Sequence, residues 1–252
     1  MIKRELNLLF LTFQYYSRIP TLRTEYSEKA LSEAFRYFPL VGAFVGGLGA
    51  VTCLATGYFL PWEVSVLLAM IVMTLATGAI HEDGFADTFD GFGGGYDRER
   101  ILAIMRDSSS GVFGVVALIL LFGLRFFLLK NLPRETMMLA LVAAETSARV
   151  MPLFFIESSD YARKDSSKGM HTRNKLSPLT FGLAILWGLL SLLLLPWQVA
   201  LGAAGAYALI FLSIKSYAEK KVGGYTGDIL GFLIVTCHTA LLLILSFYTT
   251  NF

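Results

Sequence analysis

Residues 81–95 read His-Glu-Asp-Gly-Phe-Ala-Asp-Thr-Phe-Asp-Gly-Phe-Gly-Gly-Gly. Asp83, Asp87 and Asp90 stand at i, i+4 and i+7, so a helix here carries all three carboxylates on one face. No Lys or Arg lies inside the segment to offset their repulsion. A hard divalent cation resolves it, and Mg²⁺ in particular takes one or two carboxylates and completes its shell with water and phosphate oxygens. Glu82, next to Asp83, is a further candidate ligand. Gly91, Gly93, Gly94 and Gly95 follow at once. A glycine-rich turn lets backbone N–H groups close on an anion, so the predicted chemistry is metal-assisted work on a phosphate or pyrophosphate. The plain alternative is a solvated acidic loop at a membrane boundary; helical spacing between an apolar run and the glycines argues against it.

Two more segments pair hydroxyl or small residues with an acid: Met-Arg-Asp-Ser-Ser-Ser-Gly at 105–111 and Gly-Gly-Tyr-Thr-Gly-Asp at 223–228. Asp107 and Asp228 are their acids. Arg98, Arg100, Arg106, Lys168, Arg173 and Lys175 are available as counter-charge to a polyphosphate, although topology alone also places basic residues there. Of the histidines, His81 and His171 are placed to touch substrate, whereas His238 sits in an apolar run and reads as a packing residue.

These residues are held by apolar elements. Of 252 residues, 55% are apolar and 16% charged, against about 25% charged in a soluble domain; the mean hydropathy is +0.62. Residues 176–214 and 229–250 contain no Asp, Glu, Lys or Arg. Crossing a hydrocarbon core takes roughly 20 apolar helical residues. The chain therefore reads as an all-α, polytopic membrane bundle, which excludes a soluble enzyme, a nucleic-acid binder and a disulfide scaffold. About seven spans (six to eight) are expected, at 38–60, 63–80, 111–129, 134–156, 178–195, 198–214 and 229–249. The pairs Pro61-Trp62 and Pro196-Trp197 mark tight interfacial turns. An interfacial helix over 5–19 precedes the spans, and no cleavage site marks a signal peptide.

With the N-terminus inside, segments 1–37, 81–110, 157–177 and 215–228 hold 17 of the 21 Lys and Arg. The positive-inside rule then places these segments in the cytoplasm and the C-terminus outside. Gly42, Gly46, Gly47 and Gly49 suit close helix packing in lipid. Glu145 and Arg149, at i and i+4 within a span, read as a buried structural pair. Cys53 and Cys237 lie in apolar runs and form no disulfide framework. No repeat or linker divides the chain, so residues 1–252 are one domain.

The run at 81–91 resembles the signature of the cobalamin synthase family, the adenosylcobinamide-GDP ribazoletransferases. So do Ile-Met-Arg-Asp-Ser at 104–108 with Gly111, and Gly-Gly-Tyr-Thr-Gly-Asp at 223–228 preceded by Lys221. Ser-Arg-Ile-Pro at 17–20 and Phe-Pro-Leu-Val-Gly at 38–42 fit the family's N-terminal pattern. In one departure, Leu230-Gly231-Phe232 and Cys237-His238 stand where the pattern has Leu-Gly-Ala and a later acid. The resemblance implies a multi-pass enzyme of the cell (inner) membrane. It would join adenosylcobinamide-GDP to α-ribazole, or to α-ribazole 5′-phosphate, with release of GMP and a requirement for Mg²⁺. Under it Asp83, Asp87 and Asp90, supported by Glu82, hold the metal. Asp87, Asp107 and Asp228 serve catalysis, with Asp87 or Asp107 taking the attacking hydroxyl's proton. Gly91–Gly95, Arg98, Arg106, Lys168 and Arg173 meet the phosphates and nucleotide. A homo-oligomer is allowed, with no copy number set.

Other readings fit less well. The CDP-alcohol phosphotransferase pattern wants an Arg where this chain has Asp87. Membrane prenyltransferases carry two aspartate-rich motifs on separate helices, and one full set is present here. A secondary transporter would show broken helices in two related halves, and no such repeat is visible.

Overall fold

The computed structural model describes residues 2–163 and 175–251. Among them are twelve α-helices: α1 (Ile2–Tyr16), α2 (Glu28–Ala34), α3 (Phe38–Thr56), α4 (Trp62–Thr77), α5 (Ile80–Gly94), α6 (Arg98–Ile104), α7 (Val112–Asn131), α8 (Arg134–Ala148), α9 (Met151–Ser158), α10 (Pro178–Leu192), α11 (Trp197–Val222) and α12 (Gly227–Asn251). A 3-10 turn, Phe35–Tyr37, joins α2 to α3. Outside helices, the described residues pair in a parallel bridge between Tyr161 and Tyr225.

Each apolar run read from the sequence is helical, and a count of seven spans is not confirmed. Among the described residues, five stretches are long and apolar enough to cross a membrane: Glu28–Thr56, Val112–Asn131, Arg134–Ser158, Trp197–Val222 and Gly227–Asn251. A sixth exists only if α4 and α5, bent by 87°, are taken together. The run at 63–80 breaks because Gly78 and Ala79 both turn left-handed, at φ 67° and 57°. Such a pair reverses the backbone and ends a helix, and for Ala79 it is a strained conformation. The Arg18 amide donates to the Ala76 carbonyl at 2.7 Å, satisfying one of the freed acceptors at this end of α4. α10 has 15 residues, about 22 Å of helix, because its run gives way to turns before Pro196.

Glycine spacing sets the closest helix pair. A Cβ on Gly46 would lie 2.5 Å from the Leu141 carbonyl oxygen, and one on Gly42 would strike the Glu145 backbone, so α3 and α8 touch main chain to main chain. Gly49 packs on Met73, while Gly47 faces open space and takes no part. α12 fills the middle of the bundle, burying Ile229, Leu233, Cys237, Leu241 and Leu245 at every fourth position. Cys53 and Cys237 are free and buried. α1 lays Leu8 and Leu11 on Leu31 and Ala34 of α2. Arg36 ties these elements together, donating to Glu5 at 3.2 Å and to Thr180 of α10 at 3.3 Å.

Parts of all four segments read as basic and inward-facing meet at one end of the bundle. Arg98 of α6 donates to the carbonyls of Val222 and Ala162, each at 2.8 Å. Arg163 pairs with Asp228 at 2.6 Å. Tyr15 and Tyr16 of α1 line one cleft with Asp83, Tyr161, Arg163 and Asp228.

Candidate active site

α5 carries the acidic run as a helix, with Asp83 exposed and Asp87 half-buried. Its contact with α12 is made by a missing side chain. A Cβ on Gly84 would stand 2.8 Å from the Asp228 carbonyl oxygen and 3.0 Å from its Cα. Gly231 answers from α12, where a Cβ would meet the His81 carbonyl oxygen at 3.1 Å. The two helices close on these glycines, and Asp228 comes to the side of α5 that bears Asp83 and Asp87. Asp87 is within electrostatic reach of Asp83, Asp228, Asp90 and Arg163.

The 223–228 segment explains itself residue by residue. Gly223, at φ 76°, ends α11 in the left-handed form. Gly224, at φ 148°, lies against the Asp160 carbonyl with no room for a Cβ. Tyr225 donates its amide to Asp160 at 3.0 Å and accepts from the Ala162 amide at 2.8 Å, which docks the 160–163 strand of chain beside the site. Thr226 accepts from the Ile229 amide at 3.3 Å, so its hydroxyl starts α12, and it donates to Asp228 at 3.2 Å. Asp228 is thus gripped by Thr226 and Arg163 at the positive end of a 25-residue helix.

The other sequence candidates divide. Asp90 shares the face of Asp83, but about two turns further on, α7 covers it. Its two oxygens accept from the Gly111 amide at 2.7 Å and the Gly114 amide at 2.9 Å, so it caps α7 and is buried. Glu82 turns off the face to meet Arg125 of α7 at 3.5 Å. Gly91, Gly93 and Gly94 lie in the last turns of α5, where the free backbone groups are carbonyls. They pack on Met105, Phe113 and Ile104, and Gly95 on Ile101. This geometry closes α5 on α6 and α7 and offers no N–H nest. Arg98 is committed to the two carbonyls named above, and Arg106 is exposed. Asp107 accepts from the Ser109 amide at 2.9 Å and hydroxyl at 2.8 Å. Those bonds hold its carboxyl below the usual carboxylate range and shape an exposed loop. Lys168, Arg173 and His171 lie outside the described residues.

Three features were not foreseen. Arg163 is the cation that pairs with Asp228 among the described residues; its sequence signal was only a basic loop. The aromatic cleft beside Asp83 and Asp228 is the second. The third is a buried charged layer beneath α5, of which only the Glu145–Arg149 pair was read in advance. Arg125 donates to Thr239 and to the Val235 carbonyl at 3.0 Å each. His238 stands 3.5 Å from Glu145, so the position that lacks the expected acid on α12 meets one from α8.

Among the described residues no group of three or more His, Cys, Asp or Glu side chains is placed to hold a metal ion. An open set of carboxylate oxygens is nevertheless what Mg²⁺ accepts when phosphate and water complete its shell. Asp83, Asp87 and Asp228 are hard oxygen donors of like charge on facing helices, the donor type that ion takes.

Fold and side chains define a class: a helical membrane protein with a group of acidic residues at one end of its bundle. The family model described as cobalamin-5-phosphate synthase matches residues 8–246. A curated relative from Shewanella baltica (strain OS185), an adenosylcobinamide-GDP ribazoletransferase, is 39% identical over 96% of this chain and 95% of its own length. One of the same name from Leptospira interrogans is 35% identical over 92% of each chain. No solved structure matches. The chain belongs to the cobalamin-5-phosphate synthase family.

Proposed function

We propose that this chain transfers the adenosylcobinamide-phosphate group of adenosylcobinamide-GDP to a ribose hydroxyl of α-ribazole or α-ribazole 5′-phosphate, releasing GMP. Family membership supports the reaction class. The observation that carries the site is the Gly84–Asp228 contact, which sets Asp83, Asp87 and Asp228 together on facing helices.

Such a displacement forms a bond from the ribose oxygen to the phosphorus bearing cobinamide and breaks the bridge to the GMP phosphorus. It needs in-line placement and charge neutralisation more than covalent help. Mg²⁺, held by Asp83, Asp87 and Asp228, would neutralise the diphosphate. Arg163 and the positive end of the α12 dipole add positive charge at the same place. Asp87, half-buried among these groups, is the base that takes the hydroxyl proton. Asp107, outside the cleft and bound to Ser109, holds its loop instead. Asp90 and Glu82 hold α5 in register through α7. The segments that meet at the site carry the basic excess, which supports an active site and N-terminus facing the cytoplasm, with the C-terminus outside the cell membrane.

The test is GMP release by the purified protein in liposomes, given adenosylcobinamide-GDP and α-ribazole phosphate with Mg²⁺ or with EDTA. Magnesium-dependent GMP and a cobalamin product are expected. Asp87→Asn should insert normally and lose more than nine tenths of turnover. Folded wild type that makes no GMP refutes the reaction, and CDP-alcohols and prenyl diphosphates are then the substrates to try.

A further inference from the structure

The buried charged layer beneath α5 holds a small chamber. Its walls carry His81 and Glu82 of α5, Arg125 of α7, Glu145 and Arg149 at the end of α8, and His238 of α12. His81, Arg149 and His238 are each more than nine tenths buried. The chamber leaves about 30 Å³ for water centres, where one water molecule needs roughly 10–15 Å³ on that measure. Several polar atoms of these residues have no hydrogen-bond partner among the described residues: His81 Nε2, Glu82 Oε2, Arg149 Nε and both ring nitrogens of His238. The 3.5 Å approach of His238 to Glu145 is too long to serve as one. Within a membrane bundle, polar atoms left in this way are costly.

The donors and acceptors select the occupant. Glu82 is balanced by Arg125 and Glu145 by Arg149, so the walls have no excess charge for an ion to neutralise. A cation would face Arg149 Nε, which only donates, and an anion would face Glu82 Oε2, which as a carboxylate only accepts. A neutral imidazole offers one nitrogen of each kind. Water both donates and accepts, so it satisfies each of these atoms.

His81 connects this chamber to the candidate site. With Ile234 it lines both the chamber and the acid-lined cleft. Its ring stands edge to face with Phe38, centroids 6.0 Å apart, and its carbonyl abuts Gly231 of α12. In the chain it lies between the left-handed Ala79 and Asp83, in the first turn of α5. We propose that the chamber binds two water molecules. They bridge His81 to Glu82, Arg149 and His238 and so hold the start of α5 under Asp83. His81 is thereby a positioning residue. The water site stands apart from the reaction, whereas the placing of Asp83 for metal rests on the function proposed above.

X-ray radiolytic labelling of the full chain in detergent reads bound water, because a buried side chain beside it is oxidised ahead of one in dry core. Met73 lines the chamber, and Met137 is a buried core residue outside its walls. Met73 should label roughly fivefold faster than Met137. His238→Phe, which removes polar partners of the waters, should slow Met73 by about the same factor. His238→Gln restores a polar head and should keep the wild-type rate. Wild type in which Met73 labels no faster than Met137 overturns the water site, and so does a folded His238→Phe that labels as wild type. His238 is not part of the cleft wall, so its variants isolate the positioning. In the GMP assay the Mg²⁺ concentration for half-maximal activity should rise about fivefold in His238→Phe and stay in place in His238→Gln. An unmoved Mg²⁺ requirement in a His238→Phe that has lost its labelling overturns the positioning of Asp83. Wild type that makes no GMP sinks the reaction, while the labelling still decides the water site.

Discussion

Gly84→Ala adds one methyl group, and the structure says where it goes. The new Cβ would stand 2.8 Å from the Asp228 carbonyl oxygen and 3.0 Å from its Cα, whereas ordinary contact begins near 3.4 Å. Both obstacles are backbone in the first turn of α12, so no side chain can swing aside. α5 must retreat by roughly 0.6 Å or α12 must tilt, and overpacking of this kind costs about 1–3 kcal/mol. For a chain of this size each kcal/mol lowers Tm by about 2–4 °C. Activity should suffer more than stability, because the displaced atoms carry Asp83 and Asp87 away from Asp228. A misplacement on the order of 1 Å costs about 100-fold in an oriented reaction, so a loss of about tenfold or more in kcat is expected. Thermal unfolding in detergent and GMP release on the same preparation give both numbers. Gly47→Ala, where a Cβ meets nothing within 4 Å, is the matched control and should change neither. Wild-type kcat in Gly84→Ala would refute the claim that this contact assembles the site.

Asp90→Ala strips two bonds from amides at the start of α7; a loss of about 1–3 kcal/mol is expected, seen as a lowered Tm, with the Mg²⁺ concentration giving half-maximal activity unmoved if Asp90 is only a cap. Arg125→Met leaves Glu82 buried without its cation and should cost about 3–5 kcal/mol. The double variant Glu82→Gln/Arg125→Met should recover much of that stability, and a double no more stable than Arg125→Met alone would deny that the pair is coupled.

Most of the helices were legible because an apolar run bounded by Pro-Trp leaves the backbone few options in lipid. The break at Gly78–Ala79 was not, since an alanine gives no sign of the left-handed conformation it is held in. Periodicity put Asp83, Asp87 and Asp90 on one face, and Asp83 and Asp87 do face the site. Only the course of α7 shows that the third caps a neighbouring helix. Gly91–Gly95 looked like a phosphate cradle because composition does not say which end of a helix it occupies. Here it is the carbonyl end. Asp228 was singled out by its segment, yet its partner Arg163 stands 65 positions away in sequence, and no local pattern joins them. The Glu82–Arg125 pair was hidden for the same reason.

The central place of α12 bears on how the protein is made. It is synthesised after the other eleven helices, and it supplies Asp228, the floor of the cleft at Gly231 and Ile234, and the Thr239 hydroxyl that Arg125 requires. Until it arrives, the inserted chain carries Glu82, Arg125, Glu145 and Arg149 around an unfilled gap, a costly state within lipid. Completion of the charged layer and completion of the candidate site are therefore one event. It follows that a chain severed between α11 and α12 should regain function when the two pieces are co-expressed, since the last helix has a prepared slot to enter.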